Sequence, residues 1–243
     1  KKGVMIRRPL KKTWNKINRV RHAHGYGIHS PFAYRLVTKV IKERAPYYAY
    51  DEIDAIWEEV KHRAEVSGIA SRYRIPSRKE ARLLFRLVNH FHPASILEVG
   101  TRLGISSLYL KRASGKAALV VADSDPAVRK TVGGLFDEWG VEIELPDMPA
   151  ACTVGNFFTA CRPGDMLVLH SGCGDPQQLG EWIETALQKG LLLFLGGINK
   201  REAAAYWQKI KSDDRVRVTV DLKSFGFVTC DPKLNKQDYQ ISF

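Results

Sequence analysis

The chain has 243 residues, 44% of them hydrophobic, which is enough for one large α/β domain with an extension. Its longest apolar runs, such as residues 191–195, fall far short of the roughly 20 residues that a transmembrane helix needs, so we expect no membrane span. The formal net charge is +12, and this excess is concentrated at one end of the chain.

Residues 1–42 form a basic stretch. They contain twelve Lys and Arg side chains and no acidic one, Glu43 being the first, whereas the rest of the chain carries 26 basic and 26 acidic side chains. A basic arm on a neutral body is typical of a phosphate-rich partner, either nucleic acid or an anionic membrane surface. The alternative is a solvated terminus whose charge serves solubility.

The N-terminus and the cysteines predict a cytoplasmic protein. No apolar segment follows the first basic residues, as a secretory signal would require. The four cysteines show no Cys-x-x-Cys pair and no metal-like spacing, which is typical of reduced thiols; they are Cys152, Cys161, Cys173 and Cys230.

A mostly helical region follows the basic arm. Ser30 and Pro31 have the residue types of an N-cap and a first helical position, and residues 51–64 and 78–91 show helical apolar spacing. We therefore expect a basic arm over residues 1–23, a helical cap over 24–92 and an α/β domain over 93–243. Apolar residues on the cap helices leave a homodimer open as an alternative to packing within one chain.

Residues 96–110 predict the element around which the chain is organised. A short apolar run ends at Gly100, a second glycine follows at Gly104, and Ser106 opens a segment with helical spacing. This is a strand, a glycine turn and a helix start. A dinucleotide fingerprint would need another glycine where Arg102 stands, so the spacing argues against nucleotide-dependent oxidoreduction.

The same stretch resembles the first motif of the class I S-adenosylmethionine (SAM) methyltransferases, Glu/Asp-x-Gly-x-x-x-Gly-x-Ser. The matching residues are Glu98, Gly100, Gly104 and Ser106. The resemblance implies that these residues, together with Thr101, bind SAM. The next predicted strand, residues 118–122, ends at Asp123, where the family places an acidic residue on the ribose hydroxyls. The implied fold is a doubly wound, Rossmann-like α/β fold with a seven-stranded sheet.

The helical region carries a narrower resemblance. The Gly-x-His-Ser-Pro-Phe motif at residues 27–32 and the Leu-Leu-Phe-Arg-Leu-Val motif at residues 83–88 are similar to a group of poorly characterised bacterial O-methyltransferase-like proteins. Together with the glycine motif, this resemblance covers residues 24–243. It gives no role to the two motifs of the cap.

The second half of the chain continues the alternation of strands and helices. Residues 153–156 predict a third strand that ends at Asn156, where the family often has an acidic residue against the adenine amino group, and the amide oxygen of Asn156 can accept the same hydrogen bond. Further strands are predicted at residues 165–170 and 190–197. Alternating patterns near residues 216–220, 226–230 and 239–243 predict antiparallel strands at the far edge of the sheet.

The sequence departs from the metal-dependent O-methyltransferases at two strand ends. Those enzymes bind Mg²⁺ through acidic or amide residues, whereas this chain has His170 and Ser171 at one position and Gly196 and Gly197 at the other. We therefore expect no catalytic metal. His170 is the candidate general base for an acceptor that must lose a proton; the alternative is a histidine that only fills space.

Two functions remain open from the sequence. The first is a metal-independent, SAM-dependent methyltransferase whose methyl acceptor is unidentified. The second is a catalytically degenerate protein of the same fold that binds nucleic acid or another anionic partner through residues 1–42.

Overall fold

A computed structural model of the chain describes residues 28–66, 77–101 and 103–243. The predicted basic arm, residues 1–23, lies outside the described residues. The strands are β1 Ser95–Val99, β2 Ala118–Ala122, β3 Met166–Leu169, β4 Leu192–Gly196, β5 Val218–Asp221, β6 Phe225–Thr229 and β7 Gln237–Gln240. In the described part of the chain they form one seven-stranded sheet with the order β2-β1-β3-β4-β6-β5-β7.

The strand directions confirm the expected doubly wound sheet. β2, β1, β3 and β4 are mutually parallel, while β6 is antiparallel to both β4 and β5. β7 pairs in parallel with β5 and forms the outer edge, whereas an antiparallel strand was expected near residues 239–243. The C-terminal ends of the parallel strands therefore lie along one edge of the sheet, which is where ligands bind in folds of this kind.

Helices lie between successive strands from β1 to β5, with two of them between β2 and β3. The helices are α1 Pro31–Arg35, which continues as a π-helical turn Leu36–Ile41, then α2 Tyr48–Val66, α3 Arg78–Phe91, α4 Ile105–Ala113, α5 Pro126–Glu138, α6 Ala150–Ala160, α7 Pro176–Gln188 and α8 Arg201–Ser212. Ser30 caps α1 as predicted, because its Oγ accepts a hydrogen bond from the Ala33 N–H at 3.3 Å. Within the described ranges, no helix is long and apolar enough to cross a membrane.

Helices cover both faces of the sheet. One face, with Ile96 and Phe194, packs against the N-terminal helices through Leu36 and Leu84. The other face is covered by α6, α7 and α8, whose large contact residues include Phe158, Trp182 and Trp207. The N-terminal helices thus share a core with the sheet, and the division of the chain at residues 92 and 93 stays a prediction.

The predicted strand at residues 153–156 is wrong. These residues lie within α6, and Ala150, Val154, Phe157 and Phe158 recur at helical spacing so that one face of the helix packs on the sheet. A single bridge between Val120 and residue 144 stands where the third strand was expected. The sheet reaches seven strands because β7 is added at the opposite edge.

Candidate active site

The glycine turn after β1 brings two strand ends together. Gly100 and Gly104 have φ values of 84° and 75°, in the left-handed region that favours glycine. A Cβ atom on Gly100 would lie 2.7 Å from Cys173 Cβ, so the turn packs directly against the loop that follows β3. The sequence therefore needs glycine here both for the backbone conformation and for the close approach.

A pocket of about 120 Å³ lies at the C-terminal ends of β1, β3 and β4. Gly100, Thr101 and Ser106 line it from the glycine turn and the first turn of α4. His170 and Ser171 follow β3, and Gly197 and Lys200 follow β4. The structure thus brings four predicted site residues, Gly100, Thr101, Ser106 and His170, into one pocket.

The start of α4 presents unused hydrogen-bonding groups to this pocket. Gly104 is the N-cap of α4 and provides no side-chain acceptor for the first N–H groups of the helix. Ser106 is fully buried, and its Oγ has no hydrogen-bond partner among the described residues. Since buried polar groups are nearly always paired, an unpaired hydroxyl on the wall of a pocket is typical of a site for a polar ligand.

Glu98 lies beneath the pocket and holds His170. Its side chain is fully buried, and its Oε1 lies 2.7 Å from His170 Nε2. The Ser107 hydroxyl donates to the other oxygen of Glu98 and lies 2.6 Å from Thr101 Oγ1, which must therefore donate to Ser107. Glu98 was predicted to bind the cofactor, but the structure directs both of its oxygens to protein groups.

Glu80 is a site residue that the sequence reasoning missed. It lies in the first turn of α3, lines the pocket, and places Oε1 4.0 Å from His170 Nδ1. The imidazole thus has a carboxylate near each of its ring nitrogens. The pattern Ser77-x-x-Glu80 indicates only a helix start, because Ser77 caps α3 through the Glu80 N–H at 3.2 Å.

Asp123 lies at the C-terminal end of β2, next to the glycine turn. It is largely buried, and the Gly100 N–H donates to the carbonyl of the preceding residue, Ala122, at 2.8 Å. Arg129 donates to the Asp123 carbonyl at 2.9 Å and pairs with Asp147 at 3.2 Å. Asp147 follows the bridge between Val120 and residue 144. Arg129 therefore connects the end of β2 with the segment that follows this bridge.

Asn156 does not join the other predicted residues. It lies on the exposed side of α6, with its amide nitrogen 3.8 Å from Met148 Sδ, and it does not line the pocket. Its predicted contact with adenine depended on a strand end that the structure replaces with a helix. Asp175, the carboxylate nearest to His170 in the sequence after β3, caps α7 through the Gln178 N–H at 3.0 Å.

No protein-family model matches the sequence, and no curated protein matches it. Solved structures are nevertheless similar to it in fold. The methyltransferase PaMTH1 from Podospora anserina, bound to S-adenosylhomocysteine (SAH), is 16% identical with a TM-score of 0.57, and the match covers 83% of this chain and 96% of that one. An O-methyltransferase from Bacillus cereus in complex with SAH is 15% identical with a TM-score of 0.56, covering 90% and 99%.

A third similar structure contains SAM. The O-methyltransferase TomG from Streptomyces achromogenes, involved in tomaymycin synthesis, is 16% identical with a TM-score of 0.53, and the match covers 76% of this chain and 90% of that one. At identities this low, the similarity establishes the fold and not the activity. The chain therefore has the doubly wound, Rossmann-like fold of these methyltransferases.

Proposed function

We propose that the chain is a SAM-dependent methyltransferase whose active site is the pocket between β1, β3 and β4. The observation that carries the proposal is the unpaired, buried Ser106 hydroxyl on the pocket wall, beside a glycine turn and the uncapped start of α4. The fold supports it, because similar structures of this fold were determined with SAM or SAH. The methyl acceptor is unidentified.

The residues present fit one end of SAM in the pocket. The N–H groups at the start of α4 and the Ser106 hydroxyl would bind its amino-acid end, and Asp123 would bind the ribose hydroxyls. The volume of about 120 Å³ is below that of a complete small-molecule site, roughly 300–1,000 Å³. The pocket would therefore take only part of the cofactor, with the rest towards β2. When bound, SAM supplies an electrophilic methyl group on a sulfonium centre.

His170 would accept the proton of the methyl acceptor at Nδ1. Glu98 fixes the ring orientation through Nε2, and a buried carboxylate at this nitrogen favours the tautomer that carries its proton there. Glu80, near Nδ1, would stabilise the imidazolium after proton transfer. The protein then needs only to align the acceptor and exclude water, because methyl transfer is a direct displacement.

We infer that this chemistry needs no metal ion. The loops that follow β3 and β4 supply a histidine, a serine, a glycine, an amide and a lysine to the pocket, and the acidic residue on its wall, Glu80, lies beside His170. Mg²⁺ prefers several carboxylate and carbonyl oxygens. Metal independence would appear as an acceptor turnover that excess EDTA leaves unchanged.

Calorimetric titration with SAM and with SAH tests the proposal. We expect micromolar binding that Asp123→Ala and Ser106→Ala each weaken at least about tenfold, since each removes a polar contact. Asp137→Ala is a matched control, because Asp137 is exposed on the outer part of α5. Circular dichroism would verify folding. Absence of binding by the folded parent protein, or binding by both site variants as tight as that of the parent, would contradict the proposal.

The basic stretch, residues 1–42, determines which acceptor is tested first. Residues 1–42 carry twelve basic and no acidic side chains, so RNA is the first class of acceptor to test. An RNA acceptor predicts that turnover falls steeply with salt and is lost when residues 1–21 are removed. A small-molecule acceptor predicts near indifference to both changes. The homodimer and the cytoplasmic location stay predictions.

A further inference from the structure

A second cavity, of about 540 Å³, lies between the segment that follows the π-helical turn and one face of α3. We call it the basic cavity, because six basic side chains line it: Lys42, Arg44, Arg78, Lys79, Arg82 and Arg86. The acidic side chains among its lining residues are Glu43 and Asp51. It shares no lining residue with the His170 pocket, and its volume is in the range of small-molecule sites.

Two of these cations are neutralised by neighbouring carboxylates outside the cavity lining. Arg82 pairs with Asp54 at 2.5 Å, and Arg78 pairs with Glu58 and, at 3.8 Å, with Asp54. Their positive charge is therefore already compensated by α2. The positive charge available to a ligand comes from the other four cations.

Arg86 is a buried cation without a carboxylate partner in the described ranges. Its side chain is only 7% exposed, and its Nε and Nη2 donate to the carbonyl oxygens of Val40 and Ile41 at 2.5 and 3.3 Å. Its Nη1 lies 3.4 Å from the Tyr50 hydroxyl. These groups accept one hydrogen bond from each of its three nitrogens but supply no full negative charge, and a buried charge without a counterion is costly.

Lys42, Arg44 and Lys79 face the same space. No carboxylate of the described residues pairs with any of them, and the Lys79 ammonium lies 4.4 Å from the centre of the Phe243 ring. Burial, followed by the charges of Lys79 and Arg44, lowers the pKa of Lys42 below its ordinary value. Four cations thus converge on a cavity that contains two carboxylates, and Glu43 already accepts a hydrogen bond from Tyr47 at 2.8 Å.

We propose that the basic cavity binds a small molecule that carries two or more phosphate groups. A multivalent anion would neutralise the remaining positive charge and would supply the counterion that Arg86 lacks. Arginine and lysine together suit phosphate, because the guanidinium fork donates two parallel hydrogen bonds and the ammonium acts as a point charge. A single phosphate would leave much of the cavity and part of its charge unused.

The proposal does not depend on methyl transfer, because SAM carries no phosphate. The test is calorimetric titration of the full chain with pyrophosphate, orthophosphate and ADP, with SAM titrated separately. We expect pyrophosphate to bind and orthophosphate to bind at least about tenfold more weakly, because it has fewer charge-assisted contacts. Stronger binding of ADP than of pyrophosphate would identify a nucleotide as the source of the phosphates, and the reverse would identify a ligand without a base.

The double variant Lys42→Gln/Lys79→Gln should weaken pyrophosphate binding about a hundredfold, roughly tenfold for each cation removed. Lys116→Gln is the matched control, because Lys116 is exposed and lies outside the basic cavity. Unchanged binding in the double variant, equal affinity for orthophosphate, or absence of pyrophosphate binding would each overturn the proposal.

Discussion

Replacing Glu98 tests whether the buried carboxylate holds the site together. Glu98 is fully buried, and it accepts hydrogen bonds from Ser107 and His170. Glu98→Leu removes both acceptors and leaves two buried donors unpaired. A buried donor left unpaired costs about 1–3 kcal/mol, so we expect the two together to lower the free energy of unfolding by about 4 kcal/mol. That is a large fraction of a typical total of about 5–15 kcal/mol.

Glu98→Gln separates charge from hydrogen bonding. The amide oxygen can still accept from His170, and the amide nitrogen can donate to the Ser107 oxygen, so we expect a loss of only about 1–2 kcal/mol. The double variant Glu98→Leu/His170→Phe removes both the carboxylate and the imidazole and replaces them with apolar groups. It should recover about 1–3 kcal/mol relative to the sum of the single variants.

Urea denaturation, followed by circular dichroism and tryptophan fluorescence, measures these differences. At a urea m-value of about 3 kcal/mol/M, a loss of about 4 kcal/mol moves the midpoint by more than about 1 M. A midpoint for Glu98→Leu within a few tenths molar of the parent would show that the Glu98 carboxylate does not stabilise the fold. Additive effects of Glu98→Leu and His170→Phe would show that the two side chains do not stabilise one another.

Two further predictions concern the glycine turn and the cysteines. Gly100→Ala should destabilise the protein by at least about 1–2 kcal/mol in thermal unfolding, because Gly100 has a left-handed backbone and an added Cβ would meet Cys173. Gly115→Ala is the control and should be near neutral, because Gly115 has open space around it. Equal effects of the two substitutions would contradict this expectation. Burial raises the pKa of Cys230 to about 11. At pH 8, a thiol reagent should therefore label the exposed Cys152 quickly and Cys230 slowly. The labelling rate of Cys230 should rise as the pH approaches 11. Equal labelling rates at pH 8 would contradict the partial burial of Cys230.

The elements around the glycine turn were predictable because their patterns are local. An apolar strand, glycines at a turn and the Ser-Pro start of α1 each depend on residues that are close in sequence. Residues 153–156 misled the reasoning because a short run containing Thr153 and Val154 resembles a strand. The helical period becomes evident only when Ala150, Phe157 and Phe158 are counted with it.

The interior of the site was less predictable because its contacts are long-range. Glu98 and His170 are 72 residues apart, and neither the glycine motif nor the strand pattern indicates that the carboxylate faces the imidazole. Glu80 enters the site only because α3 packs beside the end of β3, a placement that no local pattern specifies. The sequence patterns place the predicted residues at one edge of the sheet but do not indicate the partners of His170.

A crystal structure of the protein with SAH would locate the cofactor directly. We expect SAH at the C-terminal edge of the sheet, with its ribose hydroxyls on Asp123, its amino-acid end at the start of α4 beside Ser106, and its sulfur facing the His170 pocket. SAH at another surface, or a pocket that contains none at saturating SAH, would contradict the assignment of this site as the active site of a methyltransferase.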